Sequence, residues 1–321
     1  MIDIGNKHTI TFIPPEGAAS IIADFTNWKQ APMPITGPLT LEFPEGAYIE
    51  YAFLDANRQP LADPDNPCAP EYPWHSYDRY VALPHNTFRH PPRSQPLRGK
   101  LITHTFPSKS LESKRTCFVY EPPVHPTTTL YVQDGDGYCN RLKFHEVTDA
   151  LLAQGRIQPI RLVMLEPEDR HSEYWFCEKY EAFLLNEVLP EIDHLYGATQ
   201  ARAAWGASLG GLTAIWLAWK HPEMFTKVGS QSGCFKAHPD GGNEYQDSEW
   251  FTEQFAQTNR LPLRLYLQTG QIEWLLGANR RFAAVLAEKG YAHKYEEVPS
   301  GHGWATWEQG LAPGLEYLFG L

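Results

Sequence analysis

The 321-residue chain has only five cysteines, Cys68, Cys117, Cys139, Cys177 and Cys234, an odd number with no CxxC pair among them. Neither a disulfide framework nor a cysteine zinc site is written here, and reduced structural thiols are expected. No uncharged apolar run approaches the ~20 residues a spanning helix needs, and Met1 to Phe12 offer neither a basic start nor a continuous apolar stretch. A soluble cytoplasmic protein is the expectation. Basic clusters are absent too. The formal net charge of -11 does not sit in one tail, with 11 acidic and 6 basic side chains in residues 1–95 and 27 and 21 in the remainder; both parts are mildly acidic, so nothing marks a nucleic-acid or membrane partner. No repeat or low-complexity tract interrupts the chain. His85 and His90 lie in a Pro-rich stretch without ligand spacing, and no metal site is expected there.

What is present changes texture along the chain. From Thr9 to Ala82, short apolar segments (Thr9 to Ile13, Ser20 to Phe25, Ala47 to Leu54) alternate with Pro- and Gly-rich turns. This pattern predicts a small all-β sandwich over residues 1–85. Trp28 is expected in its core, with a sugar-stacking platform as the alternative. Residues 86–98, rich in proline, read as a linker. From Gly99 onward strand patterns alternate with helical ones, which predicts a doubly wound α/β sheet over 99–321, with its sites at the carboxyl ends of strands.

The second part centres on Ala203-Ala204-Trp205-Gly206-Ala207-Ser208-Leu209-Gly210-Gly211. Gly206-x-Ser208-x-Gly210 lies between an apolar strand pattern and a helical one, the context of a nucleophile elbow. The small flanking residues suit a strained turn that exposes Ser208, and the helix that follows would direct the Leu209 N–H at an oxyanion. A serine hydroxyl needs a base. In α/β-hydrolases the chain order is nucleophile, acid, histidine. His302, in the Gly-flanked loop after the last expected strand, fits that place. Glu273, just past the penultimate strand (Leu263 to Gln268), is the carboxylate best placed to orient it, with Asp240, Asp247 and Glu249 as competitors. The Gly-rich loop Gln133-Asp134-Gly135-Asp136-Gly137 ends an early strand, and the Asp136 N–H is assigned as second oxyanion donor. Its Asp-Gly-Asp-Gly is not continued as a calcium loop.

Several stretches now resemble a known family: Val132-Gln133-Asp134-Gly135-Asp136, Gly206 to Leu212 with His221-Pro222-Glu223-Met224-Phe225, Gly229-Ser230-Gln231-Ser232-Gly233, Gly270-Gln271-Ile272-Glu273 with Asn279, and Gly301-His302-Gly303-Trp304 with Trp307. In these, residues 99–321 resemble the esterase-D superfamily and, within it, the enterochelin (ferric-enterobactin) esterases. Ahead of them, Ala23 to Trp28, Tyr48 to Phe53 and Ala62 to Pro67 resemble early-set immunoglobulin-like modules. The resemblance implies a Ser/His/acid esterase that opens trilactone siderophores or related esters, with Arg170 and Glu173 lining the substrate site. Two features depart from it. Residues 237–253 are acidic (Asp240, Glu244, Asp247, Glu249, Glu253) where a polyanionic siderophore calls for basic groups, and Trp250, Phe251, Trp274 and Trp304 would equally suit an aromatic or sugar-linked ester.

The expectation is therefore a cofactor-free, metal-free serine esterase using Ser208, His302 and Glu273, with Leu209 and Asp136 at the oxyanion and Arg170, Glu173 and Trp304 toward the substrate. A feruloyl- or acetyl-type carboxylesterase is the alternative. A non-catalytic glycan-binding protein is the rival of another class. The expected partner is a small-molecule ester, with a homo-oligomer allowed.

Overall fold

The computed structural model describes residues 2–6, 8–241 and 248–321, the side chains of 2–6 excepted. The chain divides into two compact units. One comprises Met1–His90, Thr269–Leu276 and Glu297–Gln309; the other comprises Pro91–Gln268, Gly277–Glu296 and Gly310–Leu321.

The first unit is a sandwich of two antiparallel sheets. Strands β1 (Ile2–Asn6), β2 (Thr9–Phe12), β3 (Ala18–Ala23), β4 (Met33–Pro34), β5 (Leu39–Glu42), β6 (Tyr48–Asp55), β7 (Pro60–Leu61) and β8 (Arg79–Ala82) pair as β1-β2-β5 and β4-β3-β6-β7, with β8 also on β6. Alternate residues of the two sheets, among them Ile10, Phe12, Ile21, Tyr51 and Phe53, meet in one core, as period-two patterning requires. The strand expected through Phe25 stops at Ala23. Thr26 Oγ1 accepts the Ala23 N–H (2.9 Å) and donates to the Ala23 carbonyl (3.1 Å), closing a tight turn. Trp28 packs on the outer cluster of Ile22, Ala52 and Leu54, half-buried, rather than in the central core.

In the second unit, β9 (Lys100–Ser108) and β10 (Ser113–Glu121) form an antiparallel pair. The rest alternates: β11 (Thr128–Gln133), α1 (Phe144–Ala153), β12 (Ile160–Leu165), α2 (Arg170–Tyr174), α3 (Glu178–Phe183), α4 (Leu189–Tyr196), β13 (Ala201–Ala207), α5 (Leu209–Lys220), β14 (Phe225–Gln231), α6 (Trp250–Gln257), β15 (Arg264–Gly270), α7 (Leu276–Glu288), β16 (Ala292–Val298) and α8 (Trp304–Phe319). The eight strands lie in the order β16-β15-β14-β13-β11-β12-β10-β9, parallel from β12 to β15. Every residue of β11 and β12 is buried, the signature of strands covered on both faces. Chain order reverses between β11 and β13, and a doubly wound sheet opens a crevice at such a point, beyond the strand ends. Between α3 and α4 the chain makes a π-helical turn at Leu184–Val188 just ahead of Pro190, which absorbs the missing proline N–H. No helix among the described residues is long and apolar enough to cross a membrane.

Candidate active site

Ser208 closes β13 and opens α5 with φ 55° and ψ -121°, off every region comfortable for an L-residue. The turn is held from both sides. Its N–H donates to the Gln231 carbonyl (2.8 Å), and its carbonyl accepts the N–H groups of Leu212 (3.0 Å) and Cys234 (3.1 Å). A Cβ on Gly206 would come within 2.3 Å of the Gly210 carbonyl oxygen, so the strand can run this close to the helix only with glycine there. Below the turn, Trp205 Nε1 and the Tyr138 hydroxyl both donate to Gln231 Oε1 (3.1 and 2.8 Å). Leu209 is the first residue of α5, whose leading N–H groups have no partner within the helix and carry its positive dipole end.

At the end of β11, Asp134 takes a left-handed φ of 60°. Its carboxylate accepts two bonds from Arg170 (Nε 2.7 Å, Nη2 3.1 Å), while Arg170 Nη2 also donates to the Ala207 carbonyl (2.9 Å). Arg170 therefore ties α2 to the last residue before Ser208. Glu173, one turn on, is buried. Both its oxygens are engaged by Arg115 (3.0 and 2.6 Å), and Oε1 also accepts the N–H groups of Glu168 and Asp169. The Asp136 N–H donates to Glu166 Oε2 at 2.6 Å. Burial holds the Glu166 carboxyl above its ordinary range, opposed by that bond and reinforced by the Asp134 and Asp136 carboxylates.

The first unit brings Glu273 and His302 together. His302 Nδ1 lies 3.4 Å from Glu273 Oε1. That carboxylate is fixed in turn by the Thr269 hydroxyl (3.1 Å) and the Gly270 N–H (3.2 Å). The imidazole stands between the rings of Trp274 (centroids 4.5 Å) and Trp307 (5.2 Å, edge-on). Trp304 is buried and packs on Trp307 and Trp74. Of the competing acids, Asp240 is exposed beside His238, Glu249 is paired with Arg281, and Asp247 lies outside the described residues.

Sequence reasoning missed Arg115, whose acidic partner stands 58 positions away, and Asp24, which packs directly under the histidine loop. A Cβ on Gly301 would fall 2.0 Å from Asp24 Cγ, and Asp24 Oδ2 accepts the Glu50 N–H (2.8 Å). Burial pushes the Asp24 carboxyl up to about 7, with Glu273 and Asp78 adding repulsion against the lowering effect of the Glu50 N–H bond. The folded protein thus keeps this proton to higher pH than the unfolded chain. The stability associated with that proton is complete below the ordinary aspartate range and is lost as pH rises through about 7. Glu50, raised by burial first and by Asp24 and Asp78 next, acts in the same direction. By calorimetry, Asp24→Asn is expected to flatten the decline of melting temperature between about pH 4 and 7; equal slopes in both proteins would refute this.

Residues 108–318 match the family model described as "Putative esterase". The uncharacterized protein YbbA of Bacillus subtilis (strain 168) is 30% identical over 164 residues, 43% of this chain and 62% of its own length. The iron(III) enterobactin esterase of Dickeya dadantii (strain 3937) is 24% identical over 275 residues, 78% of this chain. The chain spans 60% of the length of that relative. The crystal structure of the Shigella flexneri enterobactin esterase, in the presence of 2,3-dihydroxy-N-benzoyl-glycine, has the same fold, with a TM-score of 0.74 at 19% identity over 99% of this chain and 95% of that one. Since the family match takes in well over half of the residues, the chain belongs to the esterase family that this model defines.

Proposed function

We propose that the protein is a serine carboxylic-ester hydrolase. The observation that carries the reading is the backbone of Ser208, held at φ 55° and ψ -121° where a parallel strand enters a helix. Such strain persists where the surroundings impose it, and it clusters at reactive residues. In the proposed reaction His302 Nε2 removes the Ser208 hydroxyl proton as Oγ attacks the ester carbonyl. Glu273, at His302 Nδ1, fixes the tautomer and offsets the imidazolium charge. The Leu209 and Asp136 N–H groups receive the oxyanion, each worth about 3 kcal/mol; for Asp136 this requires Glu166 to release its bond. His302 then returns the proton to the leaving alcohol, and water repeats the sequence on the acyl-enzyme.

For substrate, we favour a siderophore trilactone or a related ester. The name of the Dickeya relative points there, and Arg170 supplies a half-exposed cation next to the elbow. Glu173 is assigned an indirect part, since both its oxygens hold Arg115 and its own loop. The second reading, an aromatic or sugar-linked ester of the feruloyl type, rests on the tryptophans around His302.

Two measurements test the reading. A fluorophosphonate should add once per chain, at Ser208, by intact mass and peptide mapping. Hydrolysis of a ferric trilactone siderophore, a feruloyl sugar ester and a short p-nitrophenyl ester should be fastest on the trilactone. Labelling with a preference for the feruloyl ester would keep the chemistry and change the substrate. Glycan affinity without labelling would favour the non-catalytic rival.

A further inference from the structure

The first unit gathers three donor side chains away from His302 and Glu273. His90 Nε2 lies 3.3 Å from Glu71 Oε2, and His90 Nδ1 lies 3.1 Å from Glu308 Oε2. One donor atom from each residue falls within 4.8 Å of the others. We infer that Glu71, His90 and Glu308 form a binding site for a divalent first-row cation of the Zn2+ or Co2+ type. Donors about 2.0–2.1 Å from a tetrahedral ion stand about 3.3 Å apart. His90 can give one ion only one of its two ring nitrogens, so Nδ1 and Glu308 serve as they stand, and the exposed Glu71 carboxylate has to swing from Nε2 toward Nδ1, within the 4.8 Å spread of the three donor atoms, to complete the centre.

The frame is built for it. Glu308 is in the second turn of α8, with its carboxylate buried, and the Tyr72 hydroxyl donates to its Oε1 (3.3 Å), an outer partner of the kind that orients ligating carboxylates. His90 arrives on a segment without helix or strand that is nonetheless pinned at each step. Asn86 Nδ2 donates to the Gly46 carbonyl (2.6 Å), the Phe88 N–H donates to Asn86 Oδ1 (3.0 Å), and the Phe88 ring stacks on Tyr48 (5.1 Å). The Arg89 N–H then donates to Gln309 Oε1 (2.9 Å). Arg89 and Gln309 each adjoin a donor in sequence, so this bond sets His90 against Glu308.

Charge and space agree. Two carboxylates and a neutral imidazole offset a +2 ion, a donor set that suits borderline metals. The Arg89 guanidinium is directed to the Phe88 and Asn86 carbonyls (2.6 and 3.4 Å). Beside the donors lies a cavity of about 350 Å³, lined also by Tyr48, Tyr72 and Tyr80, with room for the water ligands that three protein donors leave to be filled. A bound ion would clamp residue 90 to the start of α8, just after the His302 loop.

The competing explanation is a protonated His90 held between two carboxylates with no affinity for metal. Tag-free, chelator-treated full-length protein, titrated with Co2+ by visible absorption and with Zn2+ by calorimetry near pH 7.5, separates the two. Expected are one ion per chain, a higher melting temperature with Zn2+, and at least tenfold weaker binding in His90→Ala and in Glu308→Gln, but not in Arg89→Ala. His90 is largely exposed, so its variant tests the site even if Glu308→Gln folds poorly. No saturable binding, or binding unchanged in His90→Ala, would overturn the inference. The readout is the ion itself and is independent of ester hydrolysis.

Discussion

Ser208→Ala is expected to lower kcat on a p-nitrophenyl ester by on the order of 10⁴-fold or more, the scale seen when a serine nucleophile is removed from an intact constellation. The same substitution should barely move the melting temperature, because alanine keeps the Cβ and the turn keeps its bonds to Gln231, Leu212 and Cys234. Ser208→Gly separates the two effects further. Glycine tolerates φ 55° and ψ -121°, so this variant should be equally inactive and more stable by about 1 kcal/mol. An unfolding curve measured beside the assay checks both. Activity within a few-fold of wild type in Ser208→Ala would remove this serine from the mechanism.

The second large effect concerns stability. The Arg115 side chain is almost fully buried, with its guanidinium on both oxygens of Glu173, on the Glu166 carbonyl (2.9 Å) and over the Phe183 ring (5.5 Å). Arg115→Met strands a buried carboxylate, and removing one partner of a buried pair costs about 3–5 kcal/mol. Pairing it with Glu173→Leu should restore much of that loss, because replacing both ions by apolar groups is often close to neutral. The double variant should still lose esterase rate, since Glu173 organises the turn that carries Arg170. Denaturant unfolding of the two variants decides. A single variant less than about 1 kcal/mol below wild type would show that the pair is solvated.

Much of this fold is legible in the sequence because its signals are local. The run over 128–133 is β11, that over 160–165 is β12, and Gly206 to Gly210 announce a turn whose sterics involve only neighbours in the chain. The helix α8 is not legible: Gly310, Pro313 and Gly314 lower its propensity, and packing overrides them. The acid of the histidine pair can be narrowed from the sequence only by chain order, whereas the fold adds the 3.4 Å approach of Glu273. Glu71, His90 and Glu308 are beyond any spacing rule, because more than two hundred residues separate the last donor from the other two.

The loop of His302 is fastened to the β-sandwich at two points: the Tyr48 N–H donates to the Pro299 carbonyl (2.9 Å), and Gly301 rests on Asp24. A boundary drawn near residue 90 is therefore a poor place for scissors. Expressing the α/β half alone, or exchanging the sandwich for one from a distant homologue, strips the histidine loop of its foundation. Chimeras should carry residues 1–90 together with 269–276 and 297–309 as one inherited block.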